Sequence, residues 1–189
     1  MDYSVDKRER ILAATAKLIV QNGLNSPMSA IAEAAGVATG SLYNYFSSKE
    51  ELIWAVYKRL AKSIDEALVR PIDPIEPHRQ RFINYFSDYI DFIWADPDRA
   101  ILFEYLSNAP IISHSELREV FSGSSVYIGR LISDAQKAGV VRRASTTLIG
   151  ALLGGAIRNS LKWQRVHDKP LTRKDREELL QMCWDAIAA

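Results

Sequence analysis

One glycine, Gly36, stands between two helix-period stretches of about two turns each, and this spacing constrains the chain more than any other feature. The surrounding residues, 26–52, read SPMSAIAEAAGVATGSLYNYFSSKEEL. Before the glycine, Met28, Ile31, Ala32 and Ala35 recur at helical spacing. Ser26 is placed as an N-cap, with Pro27 at the first helical position, where its missing N–H costs nothing. After the glycine, Leu42 and Phe46 face inward from a short helix over 39–46. Ala32, Ala34 and Ala35 are small enough for the two helices to approach closely, and Val37 fills the corner. Two short helices joined by a glycine turn make a helix-turn-helix.

The rest of the chain also reads as helix, with no convincing alternating strand run. Ile11, Leu12, Thr15, Leu18 and Ile19 define a helix over 7–21 that Asn22-Gly23 ends. Ser48 and Glu51 have capping-box spacing at the head of a long helix reaching about Val69. Pro71, Pro74 and Pro77 then interrupt it. Further helices are expected over 77–95, 98–107, 114–138, 145–166 and 172–188, with a firm break at Asp96-Pro97 and a capping pair at Thr172 and Asp175. The expectation is an all-α protein of about nine helices. A helix-turn-helix domain over 1–48 precedes a larger helical bundle over 49–189.

On the third helix the outward residues are Thr39, Gly40, Ser41, Tyr43, Asn44 and Tyr45, and none is acidic. Hydroxyl, amide and backbone groups at the front of a short helix suit the major groove of DNA, about 12 Å wide. Lys49 opens the next helix and can pair with the phosphate backbone. Bulk charge adds little. The chain carries a net charge of +1, and residues 1–62 hold eight Lys or Arg against six Asp or Glu.

Residues 8–52 resemble the DNA-binding domain of the tetracycline-repressor (TetR/AcrR) family. The matching strings are Arg10-Ile-Leu-Ala-Ala, Gly23, Ile31-Ala-Glu-Ala-Ala-Gly-Val37, Gly40-Ser-Leu-Tyr-Asn-Tyr-Phe46 and Lys49-Glu-Glu-Leu52. The resemblance places Thr39, Gly40 and Asn44 at base edges, and Ser41, Tyr43, Tyr45 and Lys49 at phosphates. It places Ser29 where the second helix sometimes reaches a base. Two residues depart from the pattern. Ala38 stands where the family usually has Ser, which weakens the N-cap of the recognition helix. Pro27 stands where Thr is common, which removes a phosphate contact that Ser26 can replace one residue earlier.

The resemblance further implies a homodimer on a palindromic operator, acting as a repressor that a small-molecule inducer releases. Its dimer face is expected on the last two helices. Gly150, Ala151, Gly154, Gly155 and Ala156 permit close helix contact there, and Leu179, Leu180, Cys183, Trp184 and Ile187 form a stripe wide enough for a four-helix bundle. Intrachain packing of the same residues is the alternative. The middle helices are rich in aromatic residues, mostly core, and buried Tyr hydroxyls need partners. Tyr85, Tyr89, Phe103, Tyr127, Asn159 and Trp163 are the candidate ligand lining, with Arg158 able to pair an acidic ligand or a nearby carboxylate. A dimeric DNA-binding regulator with no small-molecule ligand shares the same reading head and is the second hypothesis.

An enzyme is not expected. His78, His114 and His167 have no nucleophile motif near them, and no Walker-type phosphate loop or Glu-x-x-His metal pattern occurs. No cofactor and no metal are expected. With Cys183 alone, an intramolecular disulfide is impossible. The first residues carry early acids and no apolar core, unlike a signal peptide. The longest apolar run, 148–157, is far short of the roughly 20 residues a bilayer crossing needs. A cytoplasmic protein with no membrane partner is the expectation.

Overall fold

The computed structural model describes residues 3–107 and 113–189, and the regular elements among them are helical. They are α1 (Tyr3–Asn22), a 3-10 turn (Gly23–Asn25), α2 (Met28–Ala35), α3 (Thr39–Tyr45), α4 (Lys49–Leu68), α5 (His78–Trp94), α6 (Pro97–Ser107), α7 (His114–Val120), α8 (Ser122–Lys137), α9 (Thr146–Val166) and α10 (Arg173–Asp185). An isolated antiparallel bridge joins Val141 to Ala188. The described residues divide into two compact units, one drawn from 1–63 and 98–120, the other from 64–97 and 121–189.

In the first unit α1 packs on α2, and α2 on α3. Ile11, Leu12 and Ile19 of α1 are buried, as are Met28, Ile31, Ala32 and Ala35 of α2. The buried Thr15 hydroxyl donates to the Ile11 carbonyl at 2.7 Å, which offsets the cost of removing it from water. Gly36 takes a left-handed conformation, φ 65, after the last turn of α2. Its N–H donates to Glu33 O at 3.0 Å, and the Val37 N–H donates to Ala32 O at 2.9 Å. That pair of bonds is the Schellman motif, and it turns the chain from α2 into α3.

The start of α2 differs from the sequence expectation. Pro27 has extended ψ of 157 and sits outside the helix as its N-cap, while Met28 is the first helical residue. Ser26 is one residue too early to cap it. Its hydroxyl is buried without a hydrogen-bond partner and is not available to a phosphate. Ala34, expected between the two helices, is exposed.

In the second unit α5 packs with α8, α9 and α10, and α8 packs with α9. Phe82 packs at a tilt against Phe86 with ring centroids 4.6 Å apart and meets Trp184 edge-on at 5.2 Å. The α10 stripe expected at a dimer interface is therefore part of the chain's own core. Leu179, Leu180, Cys183, Trp184 and Ile187 are all less than a tenth exposed. The last helix stops at Asp185, not 188, because the terminal residues turn onto the loop before α9, with Arg142 N–H donating to Ile187 O at 2.9 Å. Helix α9 is apolar on two faces. Ile149, Leu153, Ile157 and Leu161 are buried, whereas Leu148, Leu152, Trp163 and Val166 are 51–70% exposed. Gly150 and Gly154 face inward, where a Cβ at Gly154 would lie 3.4 Å from Arg158 Nη1. Ala151 and Ala156 are exposed.

The helix expected over 114–138 is two, α7 and α8, broken at Phe121. The cause lies on α4. The Asp65 carboxylate accepts the Ser124 N–H at 2.8 Å and so caps the first turn of α8. A Cβ on Gly123 would overlap that carboxylate. Gly123→Ala should therefore displace Asp65 and unfold the protein at lower urea, by about 1–3 kcal/mol, although alanine is the better helix former. An unchanged or raised urea midpoint would show that Asp65 moves aside at no cost.

Candidate nucleic-acid interface

Helix α3 is only seven residues long. Ala38 is its N-cap and offers no side-chain hydrogen bond, as its substitution for a polar residue implies. Leu42 and Phe46 anchor the helix, at 0% and 2% exposed. The opposite side is open. Thr39, Gly40, Tyr43 and Asn44 are exposed, and Ser41 and Tyr45 are half-buried. No atom lies within 4 Å of where a Gly40 Cβ would sit, so the backbone there is free to approach a partner closely. Helix α3 carries neither acid in its first turn nor base in its last.

The corner that follows is held by a hydrogen-bonded cluster. Ser48 Oγ accepts the Glu51 N–H at 3.1 Å. The Glu51 carboxylate reaches back to Ser47, accepting from its N–H and its hydroxyl, each at 2.7 Å. The capping pair of Ser48 and Glu51 is thus present, but the return bond goes to Ser47 one residue earlier. The cluster fixes Lys49, half-buried, as the first residue of α4. Ser29, in the first turn of α2, is exposed.

Two arginines of α1, absent from the candidate list, also reach this region. The Arg8 guanidinium lies over the Phe46 ring, 5.3 Å from its centroid. Arg10 Nη1 lies 3.7 Å from where a Gly36 Cβ would sit. Helical spacing places Arg8 one turn before buried Leu12, which hints at its side. Nothing local signals Arg10.

The candidate ligand residues come together in part. Arg158 Nη1 donates to the Tyr89 hydroxyl at 2.8 Å. The Tyr85 ring lies 5.8 Å from that of Tyr127. Burial raises the Tyr85 and Tyr127 hydroxyls above the ordinary tyrosine range. Asn159 and Trp163 instead lie exposed on α9, and Trp163 neighbours His167. Phe103 belongs to the other unit. Cys183 is buried, and burial pushes its thiol up to about 11. Among the described residues no group of three His, Cys, Asp or Glu is placed to hold a metal, and no helix is long and apolar enough to cross a membrane.

Residues 11–56 match the family model of bacterial regulatory proteins, tetR family. The fatty acid metabolism regulator protein of Bacillus subtilis is 22% identical over 138 residues, covering 72% of this chain and 71% of that one. A TetR family transcription regulator from Marinobacter aquaeolei VT8 shares the fold with a TM-score of 0.88 at 18% identity, covering 98% of this chain and 97% of that one. The transcriptional regulator FadR of Bacillus subtilis, solved with stearoyl-CoA, has a TM-score of 0.73 at 20% identity and covers 94% of this chain and 95% of that one.

Hydrogen bonds from the Ser47 side chain and backbone hold the Glu51 carboxyl below the ordinary carboxylate range. A carboxyl lowered on folding stabilises the protein above its unfolded pKa, and that contribution is lost as pH falls through the lowered value. Glu51→Gln should therefore lie below the parent in urea midpoint at about pH 7, with the gap closing as acid protonates the parent's carboxylate. A gap that persists in acid would assign the effect to packing instead of charge.

Proposed function

Because this chain belongs to the tetR family of bacterial regulatory proteins, we propose that it is a transcriptional repressor that binds a palindromic operator as a homodimer and is released by a small-molecule inducer. It is a DNA-binding regulator, and the reading head is assigned to residues 1–48, with 49–189 serving ligand and dimer. One observation carries the DNA reading: a short helix pinned by Leu42 and Phe46 presents an uncharged polar face to the outside. Thr39, Gly40 and Asn44 meet base edges in the major groove, with Ser29 at its margin. Ser41, Tyr43, Tyr45 and Lys49 meet phosphates.

The dimer forms through the outward face of α9. Leu148, Leu152, Trp163 and Val166 recur there at helical spacing, and Met182 of α10 is also exposed. Such a stripe is what two helices bury in a four-helix bundle. A second copy brings a second reading head, spaced to meet the matching half-site.

The inducer site centres on Tyr85, Tyr89, Tyr127 and Arg158. The similarity to FadR solved with stearoyl-CoA favours an effector with a long apolar chain and an anionic end. Helix α4 is a continuous helix from the reading corner at Lys49 to Leu68, and Asp65 near its end holds α8. An effector that prefers one arrangement of the helices around α8 shifts the equilibrium of α4, and with it the spacing of the two heads.

Selection from random duplexes should return a palindrome for the parent, and Asn44→Ala should lose preference at one base pair of each half-site, by about 1–3 kcal/mol. Identical motifs for both proteins would remove Asn44 from the reading residues. Leu152→Glu should sediment as a monomer at micromolar concentration while keeping the parent's helical circular-dichroism spectrum, its urea midpoint falling by no more than the loss of the partner subunit accounts for. A dimeric Leu152→Glu would move the interface off α9.

A further inference from the structure

We propose that Arg10 of α1 is a DNA-phosphate contact, seated beside the turn that launches the recognition helix. The proposal rests on the reading of α3 as the groove-facing element. DNA affinity comes mainly from cations that neutralise phosphates, and base contacts supply selectivity. Helix α3 offers no cation, so the charge must come from the elements around it. Lys49 supplies one at its C-terminal end. At its N-terminal end the sequence from Gly36 to Gly40 has none.

Arg10 fills that place from another helix. Its guanidinium lies at contact distance from the position a Gly36 Cβ would take, 3.7 Å from Nη1, and Gly36 is three residues before Thr39. The absence of a side chain at Gly36, required by its left-handed φ, leaves that edge of the turn uncovered. Arg10 is held by little. Asp6 sits 3.7 Å from its Nε, with the two side chains 45% and 67% exposed. An exposed pair of this kind contributes about 0–1 kcal/mol, so a phosphate can take over the guanidinium with two parallel hydrogen bonds. Arg8 and Arg59 are directed at other groups than the Gly36 turn. Arg8 lies on the Phe46 ring, and Arg59 pairs with Glu9 at 3.2 Å.

The test is the salt dependence of binding to sheared mixed-sequence duplex DNA. The parent, Arg10→Gln, Arg10→Lys and Arg59→Gln are compared. Loss of one phosphate contact lowers the slope of log affinity against log salt by about one. Arg10→Gln should show that loss, Arg10→Lys should restore the slope, and Arg59→Gln should match the parent. Arg59 is a fair control because its side chain is equally exposed, at 44%. An unchanged slope in Arg10→Gln would overturn the proposal while leaving the reading head intact. Equal losses in Arg10→Gln and Arg59→Gln would reduce it to net charge and overturn it as well. A parent that binds no duplex would overturn the reading head itself, and this contact with it.

Discussion

A seven-residue helix without a side-chain cap does not stand on its own hydrogen bonds, because helix nucleation costs more than two turns return. What holds α3 in place is the burial of Leu42 and Phe46. Full burial of an aliphatic or aromatic side chain contributes about 1.5–3 kcal/mol, enough to outweigh a missing cap worth about 1 kcal/mol. This settles which face of α3 is inside. Once Leu42 and Phe46 point inward, Thr39, Tyr43 and Asn44 have nowhere to go but out. The turn before α3 and the corner after it serve the same end. Gly36 reverses the chain by two backbone bonds, and Ser47, Ser48 and Glu51 close the exit. The presented face is therefore a consequence of packing on its other side.

The parts of this arrangement that were legible in the sequence are those set by neighbours in the chain. The glycine turn at Gly36, the pairing of Ser48 with Glu51 and the capping box of Thr172 and Asp175 each rest on groups within five residues of one another. The break at Phe121 was not legible, because Asp65, fifty-nine residues from Ser124, sets it. A continuous helix was the reasonable expectation from local pattern alone. The unfilled hydrogen bond of Ser26 is a different case. Serine before proline reads as a cap, yet the extended Pro27 moves the helix start one residue on and leaves the hydroxyl stranded.

Periodicity also has a limit that α9 and α10 make plain. A stripe at helical spacing says that a face is buried, not against what. Leu179, Leu180, Cys183, Trp184 and Ile187 make such a stripe, and α5 covers it within the chain. Helix α9 carries two stripes, and only one is covered. An apolar face left open on a helix whose other face is already in the core is the stronger mark of an interface. For the candidate ligand residues the same limit applies. Composition marked the aromatic helices, but α9 turns Arg158 toward Tyr89 and leaves Asn159 exposed, a difference of one residue that composition does not carry.

The charge balance of the reading head connects these features to its work. With eight basic and six acidic residues over 1–62, a single head gains little from phosphate attraction alone. The base contacts proposed for its uncharged outer face would add selectivity of about 1–3 kcal/mol per well-read base pair, and a seven-residue helix reaches few of them. Two heads joined in one particle roughly double both contributions, while the second binds at the effective concentration set by the first. On the proposed dimeric reading, low charge in the head makes tight binding depend on joining two copies in register. A device that shifts the register by a small amount then costs most of the second head's share, without altering any residue that touches DNA. A head rich in cations would stay bound through such a shift, whereas a head of this composition would let go.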